Sequence, residues 1–314
     1  MKNKNIVVTG GLGFIGSHIV EELVKENQIT IIDNGSSGKI ENLSDPTHEN
    51  LNLLLENLNK MALSDLNSVL KDSDYIFHLS ALTSVPMSIE NPIISNENNV
   101  NATLKLLTAA KDVDLSKFIF SSSAAVYGEN RNMPLNEDEL LMPNSPYAAS
   151  KASCELYCQS FLESHGLSTI SLRYFNVFGP RQDASSQYAA VIPKFIHTLV
   201  NNKQVTIYGD GKQTRDFIFV KDIVKANISA ALSNVTGSVN IASGVSMSIN
   251  QLYDIIKKIL ISDLDPIYKE KRAGDIKHSL ANIKNMKNIG FKIDPALFSK
   301  HIETTVKWFK LKNK

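Results

Sequence analysis

The chain has 314 residues, enough for one large domain or two smaller ones around a substantial core. Lys and Arg total 33 against 32 Asp and Glu, and a net charge of +1 argues against a broad nucleic-acid or membrane-surface binder. No stretch approaches a membrane span, and the opening "MKNKNIVVTG" does not read as a signal peptide, so the expectation is a soluble, cytoplasmic protein with no membrane partner.

In chain order, "NIVVTG" reads as a strand and "FIGSHIVEELVKEN" as the helix after it. "QITIID", "LNLLLEN" and "DYIFHLSA" follow as strands, then a helix over "NENNVNATLKLLTAAKD" and a fifth strand at "KFIFSSS". A helix from Tyr147 to about His165 precedes "STISLRYFNVFG". Short apolar runs alternating with helical patterns indicate an α/β fold with a parallel sheet flanked by helices. After Gly179-Pro180 the pattern changes, with helical stretches near 188–202, 221–233, 248–261 and 296–309. This second half reads as a smaller lobe packed on the first, with a cleft between them. Cys154 and Cys158 fall in the Tyr147 helix with no further ligands clustered nearby, so they read as reduced thiols and no metal site is expected.

Two patterns carry chemistry. "TGGLGFIG" joins the first strand to the first helix, and Gly10, Gly13 and Gly16 fit G-x-x-G-x-x-G. Glycines there permit a tight turn and close approach of the backbone to a pyrophosphate, while the helix start supplies amide donors. The second strand ends in Asp33, placed to hold ribose hydroxyls; a carboxylate there repels a 2′-phosphate, which favours NAD over NADP. The second pattern is "SPYAASK", with Tyr147 four residues before Lys151 on one helix face, Ser145 as cap and Pro146 in the first turn. Ser121, Ser122 and Ser123 emerge at the carboxyl end of the fifth strand, where ligands of parallel sheets bind. A tyrosine base at neutral pH needs its pKa lowered by about 3 units, roughly 4 kcal/mol, and a nearby ammonium favours the phenolate. Ser123 could hydrogen-bond the same substrate hydroxyl and relay its proton.

"TGGLGFIG", "SSSAAVYG", "SPYAASK" and "LRYFNVFGPRQ" together resemble the extended short-chain dehydrogenase/reductase family. More narrowly, they resemble NAD-dependent nucleotide-sugar epimerases of the UDP-glucose/UDP-N-acetylglucosamine 4-epimerase type, from about residue 5 to about 310. The resemblance implies a Rossmann-type, doubly wound NAD domain over 1–177, with segments near 215–241 returning to it, and a nucleotide-sugar lobe over 178–314. It implies Ser123, Tyr147 and Lys151 as the catalytic set, with Tyr147 and Lys151 also touching the cofactor. Phe14, Ile15, Asn34 and Leu79 join the NAD site, and Asn57 stands where relatives place an Asp against adenine. Arg215 and Arg272 would bind the diphosphate, Asp275 the uridine ribose, and Asn176 and Ser84 the phosphate or sugar. Ser279 is small where relatives vary a bulky gatekeeper, and Ala190 and Ala124 are also small, which implies room for a 2-acetamido group. Thr83 departs from the glycine of the most acetamido-selective relatives. The resemblance also implies a homodimer through the helices near 96–111 and 147–164. Three alternatives stay open: a 4,6-dehydratase, which lacks its usual acid pair because Ala124-Ala125 stand there; a UDP-glucuronate epimerase or decarboxylase; and a non-catalytic NAD sensor.

Overall fold

The computed structural model describes residues 1–184, 189–271 and 276–312. Its centre is a seven-stranded sheet in the order β10-β6-β5-β4-β1-β2-β3, every neighbouring pair parallel. The strands are β1 (Asn5–Thr9), β2 (Gln28–Asp33), β3 (Leu51–Leu55), β4 (Tyr75–His78), β5 (Lys117–Ser123), β6 (Thr169–Tyr174) and β10 (Gly237–Ile241). Central strands here are apolar on both faces because helices cover both: all four residues of β4 are buried. Ile6 and Val8 of β1 face the cluster that holds α1 (Phe14–Leu23) and α8 (Val220–Leu232). Val7 faces the other, with α2 (Leu63–Leu70), α5 (Ala102–Ala110) and α6 (Pro146–His165). The chain order reverses between β1 and β4, so a crevice opens at their carboxyl ends, which is where open parallel sheets bind ligands.

The sequence "STISLRYFNVFG" reads as one strand but forms two. β6 stays in the large sheet, Phe175 N–H donates to the Ile241 carbonyl at 3.1 Å, and β7 (Asn176–Phe178) enters a second sheet in the order β11-β9-β7. β9 (Thr214–Phe219) and β11 (Ser246–Ser248) complete that sheet, while β8 (Thr206–Tyr208) and β12 (Ile267–Lys269) pair separately. A third core joins these strands to α7 (Val191–Val200), α9 (Ile249–Leu260) and α10 (Phe298–Lys312). The helix read over 96–112 is likewise composite: α3 (Val85–Glu90) and α4 (Pro92–Asn96) lead into a π-turn at Glu97–Asn101 before α5. α6 begins as its sequence dictates: the Ser145 hydroxyl accepts from Ala148 N–H and Pro146 fills the first turn, while Gly166 ends the helix in the left-handed conformation.

Candidate active site

The cofactor end is built from backbone. Gly10 has φ of +71°, and a Cβ there would stand 2.8 Å from Ser80 N. At Gly16 a Cβ would stand 2.1 Å from the Gly10 carbonyl oxygen, so only glycine lets α1 start this close to β1. Gly13 is the N-cap of α1, which has no side-chain cap and no acid in its first turn, so the amides of Phe14 and Ile15 and the helix dipole are offered to an anion. Asp33 is buried at the end of β2 and accepts from Leu12 N–H at 3.0 Å and Gly35 N–H at 2.9 Å. Its carboxylate oxygens still have lone pairs for vicinal hydroxyls. Asn34 is exposed and turns back onto Ser36 N–H; Asn57 is half-buried after β3 and accepts from Asn59 N–H at 3.0 Å; Leu79 N–H donates to the Thr9 carbonyl. This cradle fits a dinucleotide: glycines where a pyrophosphate must approach, a helix start behind them and a carboxylate at the ribose position.

The reactive end lies at the mouth of β5. Tyr147 is half-buried, and Ser123 at the end of β5 is the neighbour that favours its phenolate. Ser123 also accepts from Ala125 N–H at 3.2 Å. Lys151 is buried; its ammonium donates to the Ser121 carbonyl at 2.7 Å and sits 4.8 Å from the Phe120 ring centre. Burial pulls Lys151 down to about 8. Burial pushes the Tyr147 phenol above its ordinary value, and Ser123 alone is the group that opposes it. One of the three Lys151 N–H donors goes to Ser121, which leaves two for a ligand in the cleft. The three serines also separate: Ser122 turns away from the cleft and donates to Glu155.

Behind this site is a buried charged cluster that sequence reading missed. Arg173 donates to both Glu155 oxygens, from Nε at 3.0 and 3.1 Å and from Nη2 at 2.7 Å. A signal existed: an arginine inside the buried strand "TISLRY" requires a buried acceptor, and Glu155 shares a helix face with Lys151 four residues earlier.

On the lobe, Asn176 starts β7 and donates to the Asp216 carbonyl at 2.9 Å, and Arg215 on β9 donates to the Thr214 carbonyl at 2.9 Å. Asp216 is fully buried and accepts from Ser243 N–H and Oγ, Gly244 N–H and Ala281 N–H, which pins β9 to the loop behind it. Burial raises its carboxyl to about 6 despite these donors. Ser84 caps α3, accepting from Met87 N–H. Ser279 and Ala124 are half-buried, and Ala190 is exposed as the N-cap of α7. Arg272 and Asp275 lie outside the described residues.

Residues 6–242 match the family model for the NAD dependent epimerase/dehydratase family. Among solved structures, a UDP-N-acetylglucosamine 4-epimerase from Methanobrevibacter ruminantium M1, in complex with UDP-N-acetylmuramic acid, is 58% identical. That pair aligns over 99% of this chain and 100% of the other, with a TM-score of 0.98. A UDP-glucose 4-epimerase from Thermotoga maritima, with UDP-glucose, is 34% identical over 99% of this chain and all of its own, at a TM-score of 0.92. A UDP-glucuronic acid 4-epimerase from Bacillus cereus, in complex with UDP-glucuronic acid and NAD, is 29% identical over 98% and 99% of the two chains, at a TM-score of 0.90.

Proposed function

Because the chain belongs to the NAD dependent epimerase/dehydratase family, we propose that it interconverts the two C4 epimers of a UDP-hexose with its NAD retained between turnovers. The observation that carries this reading is that Ser123, Tyr147 and Lys151 gather at the carboxyl end of β5, the same end of the sheet as the glycine cradle and Asp33. Bound in that cradle, NAD supplies a reversible hydride acceptor for C4 and a positive charge beside the phenol.

The residues divide the remaining work. Tyr147 removes the proton from the sugar 4-hydroxyl and later returns it to the same oxygen. Ser123, at the end of β5, hydrogen-bonds the same sugar hydroxyl and relays its proton toward the phenol. Lys151 holds the nicotinamide ribose and adds its charge to the site when substrate closes over it. The sugar passes through a 4-keto form and must turn over before it is reduced on its other face, so it needs a fixed handle. Arg215 and Arg272 hold the diphosphate, Asn176 and Ser84 the phosphate or sugar, and Asp275 the uridine ribose. Asn57 accepts from the adenine amino group in place of an aspartate.

N-acetylated sugars are accepted alongside or in preference to UDP-glucose. Support comes from the small residues Ser279, Ala190 and Ala124, and from a relative at 58% identity that is a UDP-N-acetylglucosamine 4-epimerase. The chain works as a homodimer: α4 and α6 present exposed apolar residues to solvent, Ile93 at 74% and Leu156 at 66% exposure. Sedimentation of Leu156→Glu as a monomer, against a dimeric parent, checks this. Among the described residues no helix is long and apolar enough to cross a membrane, and we place the enzyme in the cytoplasm.

The test is a proton NMR time course with UDP-glucose, UDP-N-acetylglucosamine and UDP-glucuronate in separate tubes and no added NAD. A new anomeric signal from the 4-epimer, fastest with the N-acetylated sugar, is expected. Turnover of UDP-glucose with none of UDP-N-acetylglucosamine would overturn the preference, and turnover of none, with NAD then added, would overturn the reading.

A further inference from the structure

One carboxylate joins four elements behind the reactive end. Glu155 lies on α6, four residues after Lys151, and is 6% exposed. It accepts from Ser122 on β5, from Arg173 on β6 at 2.7–3.1 Å, and from Ser238 on β10 at 3.1 Å. Arg173, 4% exposed, is itself fixed from the far side by the Tyr127 hydroxyl at 2.8 Å and the Glu137 carbonyl at 2.9 Å. The Tyr127 hydroxyl in turn donates to Asn240 at 2.6 Å.

We propose that Glu155 is a positioning residue for the epimerase reaction: held by Arg173, it fixes α6 against the end of β5, and its charge keeps the Lys151 ammonium in place. The geometry gives it leverage on all three catalytic groups. Ser122 is the neighbour of Ser123, and Tyr147 and Lys151 ride on the helix that Glu155 anchors. Around Lys151 the other titratable groups are His78 from β4, Cys154 and Cys158 from its own helix, and Tyr147 one turn before it. Burial favours the neutral forms of both thiols and of His78, whereas Glu155 is ion-paired to Arg173 at 2.7 Å. An apolar pair of similar volume would stabilise the fold about as well as this buried ion pair. The charge is better explained by what it does for Lys151.

The inference rests on the 4-epimerase reading, and one assay separates the two. Wild type, Glu155→Gln and the double variant Glu155→Gln/Arg173→Met are compared for kcat, KM, copurified NAD and the pH profile. Expected in both variants is a kcat at least tenfold lower, KM within about threefold of wild type and NAD still bound. In Glu155→Gln the alkaline limb, where Lys151 loses its proton, should move to lower pH, because a lost negative neighbour eases deprotonation; in the double variant the lost arginine charge offsets part of this and the shift is smaller. The double variant removes the unpaired arginine, so it reads the effect even where Glu155→Gln unfolds. Recovery of wild-type kcat and an unmoved alkaline limb in the double variant would reduce Glu155 to a packing role and overturn the inference. Absence of turnover by wild type on every UDP-sugar would instead overturn the 4-epimerase reading itself.

Discussion

The cofactor cradle and the candidate sugar lobe face the same task, holding a nucleotide, and are built in opposite ways. The core of the cradle is main chain: Gly10 and Gly16 admit the backbone, the start of α1 offers amides, and Asp33 adds a carboxylate at the end of β2. These parts come from residues 9–35, one strand–helix–strand unit. The lobe offers side chains from distant segments, with Asn176 on β7 beside the strand of Arg215, and Asp216 of that strand pinning the loop at Ala281. Backbone recognition tolerates little change in the chain, whereas side-chain recognition can be retuned one residue at a time.

The largest expected effect lies on the frame both regions share. Tyr147→Phe removes one oxygen and leaves the cradle intact. Loss of an acid/base group costs about 10²–10⁴-fold, so kcat should fall by that range while NAD still copurifies. Loss of NAD along with activity would show that the phenol is part of the cradle and blur the division. Gly16→Ala tests the cradle directly. Its Cβ meets the Gly10 carbonyl at 2.1 Å, so the loop must move, and NAD affinity measured by fluorescence titration should drop by about 10²-fold or the chain should fail to fold. Arg215→Met tests the lobe. A hydrogen bond to a charged group contributes about 1.5–3 kcal/mol, so KM for the UDP-sugar should rise about 10–100-fold with NAD retention unchanged.

The smallest effect is on stability. Burial holds His18 neutral, down at about 4, and His78 likewise, at about 3. The unfolded histidines, near 6.5, bind protons that the folded ones refuse, so stability falls as pH drops from 6.5 toward 4. Each costs about 2 kcal/mol at pH 5 by this linkage. Thermal melts across that range should slope downward with acid, and His18→Gln should flatten part of the slope. Both histidines sit at the cofactor end, with His78 between the Thr9 and Thr103 hydroxyls and His18 against the Pro180 carbonyl. Acid should therefore release NAD before it unfolds the lobe.

The same contrast explains what was legible in the sequence. Strands such as "NIVVTG" and "YIFH" announce themselves because burial on both faces demands continuous apolar runs. The Ser145 cap, Pro146 and the Tyr147/Lys151 spacing are local, and they form as written. The break at Phe175 was not legible, because both halves of "RYFNVF" have strand character and only the Ile241 carbonyl, 66 residues on, decides where the chain leaves the sheet. Nor was the state of Lys151: its spacing from Tyr147 is local, but its partner is a carbonyl on β5. Arg173 inside "TISLRY" asks for a buried acceptor, but nothing local names Glu155, 18 residues earlier on a helix, as that acceptor.

The most direct test of the central claim follows the hydrogen at C4. UDP-N-acetylglucosamine carrying deuterium at C4 is epimerised in ordinary water and the product read by NMR and mass. Retention of the deuterium at C4 of the epimer is the expected result, because the same bound cofactor takes and returns that hydrogen within a closed site. Loss of the label to solvent, or epimerisation at another carbon, would contradict the account.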